Sequence, residues 1–157
     1  MQHNVTIIRD GYAAWNRGDI DAVVAITDAD FEWLAPPDLV GARGGRGRAE
    51  FATYLRSFSE VWDDFRCEPE QFWSAGDTVL VLVRETGRGK LSGAHVHHHL
   101  VHVWTLRDGR VVRMEGHVER PDTLERLLPQ RLDQGRAGGE EPMRRRTPRL
   151  HAALALT

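Results

Sequence analysis

Residues 93–104 read Gly-Ala-His-Val-His-His-His-Leu-Val-His-Val-Trp, with five histidines between His95 and His102. Valine, leucine and tryptophan recur through the run, and no glycine or proline interrupts it after Gly93, so the segment predicts a β-strand. Successive side chains of a strand point to opposite faces. One face therefore carries His98, Leu100, His102 and Trp104, and the other carries His95, His97, His99, Val101 and Val103. Imidazole titrates near neutral pH and is the commonest metal ligand. The chain must thus build a sheet with titratable groups on both faces. A register slip of one residue would exchange the two sets.

The segments before this strand have helical period. Val5, Ile8, Tyr12 and Trp15 form one stripe, the spacing of an amphipathic helix. Asn16-Arg17-Gly18-Asp19 stops it, with Gly18 suited to a left-handed turn and Asp19 to capping a second, shorter helix through Ala22, Val23 and Ile26. Phe31 to Leu34 is a short strand ending at Pro36-Pro37. The loop from Gly41 to Gly47 is rich in glycine but lacks the Gly-Lys-Ser/Thr ending of a phosphate loop. Arg48 to Trp62 reads as a third helix with Phe51, Leu55, Phe58 and Trp62 on one face. Strands follow over Phe65–Trp73 and Val79–Val83. Turns are expected at Gly76-Asp77, at Gly87 to Lys90 and at Arg107-Asp108-Gly109, before a last strand from Val111 to Val118. Pro121 is placed to open a terminal helix through Leu124, Leu127 and Leu128.

Composition narrows the classes. The 157 residues suffice for one ordinary domain. A net charge of −2 gives no electrostatic case for nucleic acid or an acidic membrane. No stretch nears the roughly 18 apolar residues of a membrane span. Cys67 is the only cysteine, which fits a reducing compartment. With no signal-like start at Met1-Gln2-His3-Asn4, a cytoplasmic location is expected. The domain is expected over residues 1–128. Residues 129–157 lack hydrophobic period and are expected to be a flexible, disordered tail.

Three stretches carry a family resemblance: Tyr12-Ala13-Ala14-Trp15-Asn16-Arg17-Gly18-Asp19-Ile20-Asp21, Phe31-Glu32-Trp33, and Val103 through Asp108-Gly109 to Val111. In these the chain resembles the SnoaL-like polyketide-cyclase branch of the nuclear transport factor 2-like superfamily, over residues 4 to 128. The resemblance implies an α+β fold, a cone-shaped curved mixed or antiparallel sheet packed on three N-terminal helices around an apolar pocket. It also implies a homodimer through the sheet's outer face. The superfamily includes isomerases, cyclases, dehydratases and non-catalytic binding domains, so fold does not decide reaction.

Ketosteroid isomerase, a relative within that superfamily, uses a carboxylate on its first strand as general base; alignment through Gly18-Asp19 puts Ala35 there. Its oxyanion-hole tyrosine falls at Gly11, beside Tyr12, and its oxyanion-hole acid falls at His102. The resemblance thus points to His102, Tyr12 and His98 as catalytic candidates. Trp15, Trp33, Trp62, Leu100, Met114 and Val118 would bind substrate, with Gly116 alongside. The bland alternatives are a buried, satisfied His102 and tryptophans that simply pack the core. Three functions stand open. The first is a cofactor-independent isomerase, cyclase or dehydratase acting on an apolar ring, with His102 as general acid/base and Tyr12 bonded to an oxyanion. The second is a binding module for an apolar ligand. The third is a metalloprotein. If Arg107-Asp108-Gly109 is a three-residue loop, His99 faces His117, His97 faces Glu119 and Val101 faces Glu115. His97, His99 and His117 would then match a three-imidazole zinc site with ligands at about 2 Å. The first two readings need no cofactor.

Overall fold

The structure, a computed structural model, describes residues 2–39 and 41–128. In chain order it contains α1 (Gln2–Asn16), α2 (Ile20–Ala25), β1 (Thr27–Leu34), β2 (Gly45–Arg46), α3 (Arg48–Val61), β3 (Trp62–Ala75), β4 (Thr78–Gly89), β5 (His95–Arg107) and β6 (Arg110–Val118). A helical segment over residues 123–128 follows. The strands form one sheet in the order β2-β1-β6-β5-β4-β3. Its pairs are antiparallel except β1 with β6, which run parallel. This is the expected α+β architecture, a curved, unclosed sheet with helices on its concave side. The tail expected at 129–157 lies outside the described residues. Among those described, no helix is long and apolar enough to cross a membrane.

Local chemistry sets the element ends. Gly18 adopts φ +78°, and its N–H donates to Trp15 O at 2.9 Å while Asp19 N–H donates to Ala14 O at 2.9 Å. These bonds satisfy carbonyls left open at the end of α1. The Asp19 carboxylate accepts from Ala22 N at 3.0 Å and caps α2. β1 starts at Thr27, earlier than the expected Phe31: Thr27 pairs with Val111 of β6, and an irregular stretch through Asp28 and Asp30 precedes the regular pairing that resumes at Glu32. The expected loop at 41–47 also differs. Gly45-Arg46 pairs with Trp33-Glu32 as β2, and a Cβ on Gly45 would overlap the Trp33 indole. Gly87 and Gly89 lie within β4 rather than in its turn. Phe65 packs so closely on Gly87 that an added Cβ would sit 2.9 Å from its ring.

The β5–β6 hairpin corrects the expected register. Its loop is the two residues Asp108-Gly109, at φ +51° and +75°, the two positive angles of a type I′ turn. Arg107 pairs with Arg110 and Leu106 with Val111. A bulge at Val112 then shifts the ladder, so that Thr105 faces Arg113, Val101 faces His117 and Leu100 faces Val118. The expected pairs are therefore displaced by two positions. Two is even, so each face keeps its residues.

Those faces have different covers. On the concave side, Phe31, Trp33, Phe51, Leu55, Val81 and Trp104 belong to the core shared with the helices. On the outer side, Leu80, Val101 and Val103 are buried with Leu127, and Leu124 and Leu128 pack against them. The terminal helical segment thus lies on the sheet face that the resemblance assigned to a partner chain.

Candidate active site

Curvature of the sheet over the helices leaves a cavity of about 660 Å³, within the range of small-molecule sites. Its lining includes the expected Tyr12, Trp15, Trp33 and Trp62, together with His98, Leu100, His102 and Met114. The even-numbered face of β5 therefore points inward, as its alternation predicts. Gly11 and Ala35, the positions aligned with a relative's tyrosine and carboxylate, also line the cavity. Val118 does not. Pro36 crosses the same face of β6 at Gly116, where an added Cβ would meet its ring at 2.9 Å, and Val118 lies beyond that crossing.

The aromatic residues are both lining and core. Trp33 stacks on Tyr54 with centroids 5.4 Å apart, and Trp15 meets Phe58 edge-on at 5.5 Å. Burial pushes the Tyr54 phenol up to about 12, so it is neutral at physiological pH. Against this wall the polar groups are few and connected. Trp104 Nε1–H donates to Tyr12 Oη at 3.0 Å, and Tyr12 Oη lies 2.8 Å from His102 Nδ1. The indole can only donate, so the tyrosine oxygen accepts there and keeps its O–H to donate to Nδ1. A neutral His102 then carries its hydrogen on Nε2. Burial lowers the His102 pKa, outweighing the opposing pull of the Glu85 carboxylate, with His117 adding to the fall. His102 is 7% exposed and neutral at pH 7.

The residue that sequence reasoning missed is Glu85, on β4 directly opposite His98. It is 8% exposed. Its Oε2 bonds His98 Nε2 at 2.9 Å, its Oε1 accepts from the Cys67 thiol at 3.3 Å, and His102 Nε2 lies 3.9 Å from Oε1. Burial alone would raise its pKa, but bonds from His98 and Cys67 and the charges of both histidines reverse the sign and hold it below 4.5. His98 moves the other way, raised above 6.5 by its bond to Glu85 against a smaller burial effect. Burial pushes the Cys67 thiol up, so it stays protonated and donates. Asn16, at the end of α1, grips the Cys67 backbone through both amide groups, at 2.7 and 2.9 Å. A signal for Glu85 was available, since it continues the alternation of Val79, Val81 and Val83 into a carboxylate.

The outer histidines are arranged differently. His97 and His99 have ring centroids 5.7 Å apart, and His99 Nε2 lies 3.3 Å from Glu70 Oε2. The shifted ladder puts His117 opposite Val101 rather than His99. Among the described residues no three His, Cys, Asp or Glu side chains are grouped to hold a metal ion.

A curved sheet closed by helices over one cavity defines the nuclear transport factor 2-like class, which also contains the ketosteroid isomerase-like fold. The chain belongs within it to the SnoaL-like domain family, whose model matches residues 8–114. Among solved structures it is similar to an NTF2-like protein of Burkholderia xenovorans, 29% identical with a TM-score of 0.65, over 85% of this chain and 95% of that one. It is similar to TerC, co-crystallised with polyporic acid, at 25% identity and TM-score 0.66 over 83% and 98% of the two chains. A Catenulispora acidiphila protein with a ketosteroid isomerase-like fold, in complex with trimethylamine, shares the fold alone. It is 16% identical with a TM-score of 0.65, over 76% and 89% of the chains. Comparison with curated proteins finds no match. Family and fold together define a small-ligand-binding or isomerase-type protein.

Proposed function

We propose that the protein is a cofactor-independent isomerase, cyclase or dehydratase acting on an apolar ring substrate by histidine-based acid–base chemistry, with His102 presenting Nε2–H to a substrate oxygen. The observation that carries this reading is the 2.8 Å contact of His102 Nδ1 with Tyr12 Oη inside an aromatic cavity, where burial keeps the imidazole neutral. A core histidine needs only to be satisfied. Here the satisfied nitrogen is the one facing Tyr12, and Nε2–H is left to polarise a substrate oxygen. Tyr12 acts on His102, because its hydroxyl is engaged by Trp104 and His102 together. The likeness to TerC with polyporic acid supports a small-molecule ligand for this cavity. Pairing through the outer face belongs to the same proposal, and a partner would meet Leu124 and Leu128 as well as the strands. Light scattering during gel filtration tests it, and a monomer overturns it.

The test of function is incubation with neutral bicyclic and tricyclic ketones and hydroxyketones, followed by mass-resolved chromatography. Product isomers of unchanged mass, or products lighter by one water, are expected from the native protein. His102→Gln should lower turnover by about 10²–10⁴-fold. Full turnover by that variant removes His102 from the chemistry. Ligands bound and returned unchanged make the protein a binding module.

A further inference from the structure

We infer that Glu85 and His98 form the general base of this site, replacing the carboxylate position occupied by Ala35, and that the substrate is a ketone with a hydrogen on the carbon next to its carbonyl. The inference rests on the proposed role of His102 and assigns the partner that role requires. A neutral His102 can stabilise a developing oxyanion at Nε2–H, but its other nitrogen is held by Tyr12. It cannot also take up a proton. Within the cavity lining, the remaining titratable groups are Tyr12, Tyr54, Cys67, Glu85 and His98. Burial keeps both tyrosines and the thiol protonated, which removes them as bases at neutral pH.

Glu85 and His98 have the geometry of a base and its orienter. The carboxylate receives His98 Nε2 at 2.9 Å and is held on its other oxygen by the Cys67 thiol at 3.3 Å. That bond fixes which ring nitrogen carries hydrogen, so Nδ1 of neutral His98 presents the lone pair. The buried charge of Glu85 stabilises the imidazolium that forms, the logic by which a carboxylate activates histidine in hydrolytic triads. His98 lines the cavity and its side chain is 31% exposed, so it can exchange its proton with solvent between turnovers. The two histidines lie on one strand face, four residues apart, and Glu85 touches or approaches both.

The step balances without a further reactant. The α C–H bond breaks and its proton goes to His98 Nδ1. The electron pair moves into the C–C bond and onto the carbonyl oxygen, giving an enolate held by His102 Nε2–H. Return of the proton to another carbon of the conjugated system gives an isomer. Attack of the enolate carbon on a second carbonyl gives a ring, and the alkoxide formed there takes the proton back from His98.

Deuterium exchange at the α carbon tests this, with 1-tetralone, 2-tetralone and 2-decalone as probes in D₂O, followed by NMR. The native protein should catalyse exchange of at least one probe. His98→Gln keeps a hydrogen-bond donor for Glu85 but cannot hold the proton, and should lose about 10²-fold or more with ketone affinity unchanged. Its fold is checked by circular dichroism. Glu85→Gln should also lower the apparent pKa of His98, read from its ring-proton shift during a pH titration of the unliganded protein. Exchange by His98→Gln within twofold of the native rate overturns the dyad. If His102→Gln alone abolishes exchange, the functional reading stands and this inference falls. Exchange of no probe by the native protein overturns both.

Discussion

Three side chains of the site have opposite pH signatures. Glu85 is held below its ordinary 4.5, so its stabilising contribution is present above that value and is lost as pH falls through the folded-state pKa. His98 is raised above 6.5, so its contribution is present below 6.5 and is lost as pH rises through the raised value. Their shared bond is at full strength between about pH 4.5 and 6.5. His102 opposes them. Its pKa is lowered, so the unfolded chain takes up a proton near 6.5 that the folded chain refuses, and stability falls as pH drops below that point. Urea unfolding from pH 8 to 5 separates these effects. His98→Gln should cost about 1 kcal/mol near pH 6 and less at pH 8. His102→Gln should flatten the loss between pH 6.5 and 5; an unchanged slope would place the proton uptake elsewhere. The positions of His98 and His102 were legible because alternation needs no tertiary information. For Glu85 the same alternation gave the face but not the burial, because a carboxylate at the end of an apolar run usually marks where a strand meets water. Here His98 on the next strand, Cys67 from β3 and His102 supply the compensation, and none of these is near it in sequence.

At the scale of elements, helices and faces followed from periodicity, whereas exact pairing did not. Asp108-Gly109 was recognisable as a turn, but its two-residue form and the bulge at Val112 together moved the expected partners beyond the bulge by two. Bulges answer to the curvature of the whole sheet, which has no local signature. The zinc reading depended on those pairs. Gly45 is a comparable case, since its glycine makes room for Trp33 from another strand. Gly45→Ala should cost about 1–3 kcal/mol through overpacking, measured by chemical denaturation. A neutral result would mean that β2 can move off the indole. The terminal helical segment was expected, but its seat on the outer face was not. Its apolar residues fit any apolar surface, and only the buried patch of Leu80, Val101 and Val103 selects this one.

For the whole molecule, a ligand that fills the cavity of the folded chain alone should stabilise it by about 2.7 kcal/mol at a hundred times its dissociation constant. A thermal shift with a ring ketone reads this, and Leu100→Arg, which places charge in the cavity wall, should abolish the shift. The parallel union of β1 with β6 has a consequence for how the chain is made. Thr27 pairs with Val111, and Val111 N–H donates to Ile26 O at 2.9 Å, so the strand nearest the start is completed by the strand nearest the end. During synthesis, α1, α2 and β1 leave the ribosome long before β6 exists, with Phe31 and Trp33 lacking their neighbour. Such distant pairing slows folding to about the millisecond-to-second range and exposes the early segments to association meanwhile. Nascent chains arrested just short of β6 should remain protease-sensitive, and those that clear it should become resistant together.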